Sequence, residues 1–402
     1  MTDPLSARVR AMRRSDVREL LRHAGLPGMI SLAGGLPAAE LFDVDGLRAA
    51  TAAALAERPA EALQYGETEG DAGLRAAIAA RMRARGADVD DAEPVITAGS
   101  QQGLDLVARA LLDDGDPVVV ERPSYLAALQ AFGLARPTWR SIGVDADGAR
   151  VDELDAACAG LRPKLVYVVP DFANPSGATL SLARREALVR WAAHREVTVL
   201  EDDPYGALRT RGTPLPSLAA IARTVPGASH WIAHASTLSK TVAPGLRVGW
   251  LLLPPWLRDA VVRLKQATDL HTASLSQAVA RHYLASGRLD GHLDLVRAEY
   301  ARRREALVDA LAATFGDRLV LHAPDGGMFV WARFVDGTDT RALLGPAIAR
   351  GVTFVPGDAF YVDGAEPGRL RLNFSACDPD RLREGVHRLA SAHAALRLDA
   401  AA

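Results

Sequence analysis

The segment STLSK, residues 236–240, ends in a primary amine that the chain otherwise almost avoids. Of its 47 Lys and Arg residues, only Lys164, Lys240 and Lys265 are lysines. Arginine stays protonated and cannot act as an amine nucleophile. A lysine whose pKa is lowered by its surroundings can attack a carbonyl and form an imine. Lys164, beside Pro163 at the start of an apolar run, and Lys265, in a charged helical stretch, read as surface charges. Lys240 has to be judged by what lies around it.

Short runs rich in Val, Ile and Leu recur along the chain, and each leads into polar residues. VIT (95–97) leads into AGSQQGLD, PVVVE (117–121) into RPSY, and KLVYVVP (164–170) into DFANPSG. VTVL (197–200) leads into EDDPYG, and WIAHA (231–235) into STLSK. Runs that are apolar on both faces and separated by helical patterns predict a parallel sheet covered on both sides. In such sheets ligands sit at the carboxyl ends of the strands. One rim therefore collects hydroxyls, amides, carboxylates, aromatics and Lys240.

Singly, each piece has an ordinary explanation. GSQQ serves as a glycine turn opening a helix, or as an anion cradle in which Ser100 and Gln101 lie at a helix N-terminus that favours phosphate. NPSG is turn chemistry. EDDP reads as a solvated loop, although carboxylates directly after a buried strand need partners. Tyr125 and Tyr205 read equally as packing residues. Jointly they suit a single purpose. They offer an amine for an imine, a cradle for a phosphate, a carboxylate for a protonated ring nitrogen, and an asparagine and tyrosine for a phenolic oxygen. That set matches pyridoxal 5'-phosphate, a cofactor that carries its own chemistry and needs orientation and electrostatics from the protein.

The elements that must hold these residues emerge from the same pattern. Helices are expected at 12–24, on Val17, Leu20 and Leu21, at 44–57 and 69–85, and between the strands at 101–112, 124–134, 181–195 and 214–223. HWIAHAS (230–236) and RVGWLLLP (247–254) complete the expected strands. Two long helices, 255–285 and 289–315, come next, then a strand (329–334), a helix (340–350), a strand (369–374) and a helix (379–396). This predicts an α/β fold with three parts: an N-terminal segment and lid helix (1–35), a large domain (36–285) and a smaller α+β domain (286–402).

Composition excludes several classes. A net charge of −2 gives no reason to expect nucleic acid or an anionic membrane as partner. Two cysteines, Cys158 and Cys377, make neither a disulfide framework nor a metal site. The first 25 residues carry charges throughout and lack an apolar signal core, and no run reaches the ~18 apolar residues of a membrane span. A cytoplasmic protein is expected.

Taken in order, VRELLRHAGLPGMISLAGGLP, LQYGETEG, TAGSQQGLDLVARALLDDGDPVVVERPSY, NPSGATLS, EDDPYG, STLSKTVAPGLRVGW, PDGGMFVW, VTFVPGDAFY and LRLNFS span nearly the whole chain. This set resembles the fold-type I, class I/II aminotransferases. It is most similar to their 2-aminoadipate/kynurenine subgroup, which also resembles the C-terminal domain of MocR-type regulators. The resemblance implies a fold with a mostly parallel sheet between helices, pyridoxal 5'-phosphate, and ping-pong transfer of an amino group from an L-amino acid to a 2-oxo acid, with 2-oxoglutarate as the expected acceptor. It implies Lys240 as the Schiff-base lysine and proton shuttle. Asp202, rather than Asp203, is implied as the ring-nitrogen partner, because the family spaces its tyrosine three residues beyond the aspartate, here Tyr205. Asn174 and Tyr205 are implied at the phenolic oxygen, and Tyr125 on the ring. Ser100, Gln101, Thr237, Ser239 and Arg247 are implied at the phosphate, with Tyr65 reaching it from the second subunit of a homodimer. Arg371 is implied to grip the substrate α-carboxylate, where a bidentate fork is apt. Gly35 is implied to line the substrate pocket and Arg18 to read distal substrate groups. Thr237 stands where serine is common in the family, and the hydroxyl is retained. The rivals are a β-lyase, decarboxylase or oxidase on the same fold, and a regulatory ligand-binding module. The roughly thirty residues ahead of SLAGGLP are too few for a winged helix and linker. Neither AGG nor GSQQG has the G-x-G-x-x-G spacing of a dinucleotide site.

Overall fold

The computed structural model describes residues 4–10, 26–90 and 93–401. The helix expected at 12–24 and Arg18 lie outside the described residues. A sheet of eight strands forms the centre, in the spatial order Val95–Thr97, Gly249–Leu252, Ile232–Thr237, Thr198–Asp202, Leu165–Val168, Pro117–Arg122, Thr138–Asp145 and Gly148–Ala149. Five neighbours, from Thr138–Asp145 to Ile232–Thr237, run parallel. Their residues are buried on both faces, as in Leu165–Val168 and Thr198–Asp202. Helices supply the cover. Ser100–Leu111 lays Leu104 and Val107 over Ile232–Thr237 and Gly249–Leu252, and Leu182–Arg195 buries Leu188, Val189 and Ala192.

The sheet is mostly parallel, as the resemblance implies, and Gly249–Leu252 runs antiparallel to both neighbours. Its start, rather than its end, therefore lies at the rim, and this puts Arg247 beside Thr237. An apolar pattern reports burial, not strand direction. The helix expected over 255–285 is two helices, Pro255–Asp269 and Ser274–Ala285, parted at Leu270, whose φ is 64°. The parallel strand Thr138–Asp145 is an addition to the expected set. Its sequence, TWRSIGVD, is half-exposed along most of its length and lacks a continuous apolar run.

Beside this sheet stands a smaller antiparallel one, in the order Leu319–His322, Phe329–Phe334, Arg369–Asn373 and Val355–Pro356. Helices Arg288–Phe315, Thr340–Ala349 and Pro379–Ala401 pack on it. The N-terminal segment joins this part through Ile30–Ser31, which pairs in parallel with Val352–Thr353. Gly35 is thereby carried to the seam between the two sheets, where a Cβ on it would lie 3.1 Å from the Phe329 ring. Among the described residues, no helix is long and apolar enough to cross a membrane.

Candidate active site

The carboxyl ends of the parallel strands open on a cavity of about 180 Å³. Ser100, Gln101 and Tyr125 line it, as do Asn174, Asp202 and Tyr205, and Thr237, Ser239, Lys240 and Arg247; Val169, Pro204 and Pro244 complete the wall. Ten of the residues singled out from the sequence thus meet in one space. The local reasons differ from one residue to the next.

Asp202 is the last residue of Thr198–Asp202 and is 1% exposed. Its Oδ2 accepts a 2.8 Å hydrogen bond from the Tyr167 hydroxyl, while its Oδ1 is buried with no partner among the described residues. Burial pushes its pKa up to about 7, against the opposing pull of the Tyr167 hydrogen bond. Asp203 points elsewhere. It forms a 3.0 Å ion pair with Arg85 and accepts the Gly206 N–H at 2.7 Å. Burial works against its charge, yet Arg85 leads the groups that hold it below the usual carboxylate range. Alternation along a strand sends neighbours to opposite faces, which separates the two aspartates.

Lys240 follows Ile232–Thr237 and donates to the Gly35 carbonyl at 2.8 Å. Burial first, and then the positive charges of Arg371 and Arg247, pull its amine down to about 8. It is therefore the kind of amine that exchanges a proton near neutrality. Thr237 accepts the Ser239 N–H at 3.1 Å, and the two hydroxyls lie 2.8 Å apart. Opposite them, the AGSQ turn opens helix Ser100–Leu111 through Gly99, whose φ is 79°. A Cβ on Gly99 would fall 2.6 Å from Arg247 Nη2, and one on Gly249 would fall 2.7 Å from the Ser100 nitrogen. These glycines let strand, turn and guanidinium close together, and Arg247 Nη2 donates to the Ala98 carbonyl at 2.8 Å. Free N–H groups, two hydroxyls and an arginine converge as an anion site does.

Asn174 sits on a loop held from beneath by Asp171, which bridges the buried Arg185 (3.0 Å) and Arg209 (2.8 Å). Its Oδ1 accepts from Arg371 Nη1 at 2.7 Å, and it lines the cavity together with Tyr205. Arg371, on Arg369–Asn373, lies just outside the cavity wall. It donates through Nη2 to Ala33 O at 2.6 Å, and its guanidinium lies 4.3 Å from the Phe329 ring centre and 5.0 Å from that of Phe360. Its Nε has no partner among the described residues. Tyr65 is not brought to the cavity: it is 78% exposed, edge-on to His271.

Three residues escaped the sequence reading. Tyr167 lies within a buried strand and looks like core, so nothing but its hydroxyl marks it. Lys265, read as a surface charge, is fully buried; one of its acceptors, Gln102, lies in a distant segment, and pairing with Asp269 four residues on makes that burial tolerable. Glu121 is buried and accepts the Val169 N–H at 3.0 Å, and burial pushes its pKa up to about 8. A carboxyl raised in this way destabilises the fold increasingly as pH rises from its unfolded value, about 4.3, to its folded one. Over that window the folded chain keeps a proton that the unfolded chain releases. Glu121→Gln is expected to flatten the fall in Tm of the ligand-free protein between about pH 5 and pH 8, as read by thermal melts across that range. An equally steep fall in the variant would assign it to other groups.

Residues 30–389 match the family described as aminotransferase class I and II. The chain belongs to that family. Aromatic-amino-acid aminotransferase 1 of Thermococcus litoralis is 38% identical over 396 residues, covering 96% of this chain and 93% of that protein. The crystal structure of the α-aminoadipate aminotransferase of Thermus thermophilus, complexed with N-(5'-phosphopyridoxyl)-L-leucine, superposes with a TM-score of 0.90 at 36% identity, covering 98% of each chain. The kynurenine aminotransferase of Pyrococcus horikoshii, solved with PMP, gives 0.91 at 38% identity, covering 97% of this chain and 96% of that one. As a member of the class I and II aminotransferases, this chain has the fold-type I architecture described above.

Proposed function

We propose that this chain moves an amino group from an L-amino acid to a 2-oxo acid, with 2-oxoglutarate as acceptor, using pyridoxal 5'-phosphate held in the 180 Å³ cavity. The observation that carries this is the placement of Asp202 and Lys240 together: a buried carboxylate oxygen with no partner among the described residues, and a lowered amine, on one cavity wall. The open oxygen suits a protonated ring nitrogen, and the family relationship supports the same reading. Ser100, Gln101, Thr237, Ser239 and Arg247 would hold the phosphate, Asn174 and Tyr205 the phenolic oxygen, and Tyr125 the ring face. The bound group supplies an electron sink for the substrate's α-carbon.

The chain's own residues do the rest. Lys240 Nζ would hold the cofactor through its aldehyde carbon and, as a free amine, would carry the substrate's α-proton, a role suited to a group whose pKa burial lowers to about 8. Arg371, stacked between Phe329 and Phe360, grips the α-carboxylate. Amino donor and oxo-acid acceptor share that carboxylate, so one arginine serves both half-reactions. Gly35 lines the substrate pocket, and Arg18 reads distal groups. The functional unit is a homodimer in the cytoplasm, in which the exposed Tyr65 reaches the partner's phosphate site.

The assay is a panel of amino donors with 2-oxoglutarate, monitored by glutamate and 2-oxo acid formation. Equimolar products with parallel double-reciprocal lines are expected. Carbon dioxide or ammonia released without glutamate would make the protein a decarboxylase or lyase instead.

A further inference from the structure

The buried Lys265 has no part in the site described so far. Its ammonium lies 2.9 Å from both Asp269 oxygens, 3.1 Å from Thr272 Oγ1 and 3.3 Å from Gln102 Oε1. Burial pulls its pKa down while Asp269 opposes the shift. A compact ammonium with three donors fits this ring of acceptors, which a planar guanidinium does not. The cluster has a definite neighbour. Gln102 lies one residue beyond the cavity-lining Ser100 and Gln101, in the same helical turn. Its Nε2 donates to Asp269 Oδ2 at 2.6 Å, and its Oε1 accepts the Ala98 N–H at 2.8 Å. The Ala98 carbonyl in turn accepts from Arg247. Thr272 Oγ1 reaches the Ile96 carbonyl at 3.3 Å. Strand end, turn and first helical turn of the anion cradle are thus all held from behind by one polar cluster centred on the buried Lys265 and Thr272.

We propose that Lys265, Asp269 and Gln102 are positioning residues for the anion cradle: they fix the turn whose N–H groups, with Arg247, receive the phosphate end of the cofactor. This rests on the functional reading above. Such a cluster tunes affinity for the phosphate and leaves the rest of the cofactor's contacts alone. A merely structural ion pair would affect every contact alike.

The test compares binding of pyridoxal 5'-phosphate with binding of pyridoxal, which lacks the phosphate, in the parent, Lys265→Met and Gln102→Ala, read by absorbance and by thermal shift. Gln102→Ala keeps the Lys265–Asp269 pair and removes the link to Ala98, so it stands in should Lys265→Met fail to fold. Affinity for the phosphorylated form is expected to fall about 10- to 100-fold in either variant, on the scale of one or two lost charge-assisted bonds, with pyridoxal binding unchanged. Equal weakening of both vitamers, or no change in either, would overturn the inference. A parent that binds neither vitamer would instead overturn the functional reading itself.

Discussion

Lys240→Arg is expected to lose transamination by about 10²- to 10⁴-fold or more, the contribution of a positioned proton-transfer group, with loss of the covalent link to the cofactor on top of it. The substitution keeps the positive charge that meets the Gly35 carbonyl, so the pocket's charge balance changes little. What disappears is an amine that burial and the neighbouring Arg371 and Arg247 have brought to about 8. A guanidinium can neither attack a carbonyl nor give up a proton near neutrality. Single-turnover rates with an amino donor and the cofactor's visible spectrum are the measurements. Parent-like turnover in this variant would remove Lys240 from the chemistry.

Asp202→Asn is the second large effect, and it acts in two opposite directions. Tyr167 can still donate to the amide's oxygen, so the side chain stays in place. The amide then presents an N–H where a carboxylate oxygen stood, and a protonated ring nitrogen loses its counter-charge. Leaving a buried charge unpaired costs about 3–5 kcal/mol, or roughly 10²- to 10⁴-fold in turnover. Without cofactor the sign reverses. Burial holds the Asp202 pKa at about 7, so above the unfolded aspartate value the fold carries a penalty that grows with pH. The ligand-free variant is therefore expected to melt no lower than the parent near neutral pH while its turnover collapses. A variant that lost stability and activity in step would show Asp202 to be a structural residue.

The placement of the site was legible because it rests on a rule of open sheets: the residues just after a buried parallel strand lie at its carboxyl rim. Ser100, Asn174, Asp202 and Lys240 each come after or at the end of an apolar run, and all four line one cavity. The choice between Asp202 and Asp203 needed the family's spacing, and strand alternation gives it a physical basis. Other features lie beyond any local pattern. The reversal of Gly249–Leu252, which delivers Arg247 to the rim, leaves no mark on its hydrophobicity. The strand Thr138–Asp145 is too exposed to present an apolar run. Lys265 looks like a surface charge in sequence because Gln102, one of its acceptors, lies 163 residues away. Tyr167 looks like core because its partner stands on the neighbouring strand. Each of these depends on contacts distant in sequence, which only the assembled sheet brings together.

All of this chemistry requires the cofactor to be joined to the chain at position 240. Borohydride treatment of the holoenzyme, then proteolysis and mass spectrometry, reads that bond out. With three lysines in the chain, the alternatives are few. A phosphopyridoxyl group is expected on the peptide carrying Lys240 and on no other. The same group on Lys164, on Lys265 or at the amino terminus, or its absence from every peptide, would show that the amine at 240 does not hold the cofactor.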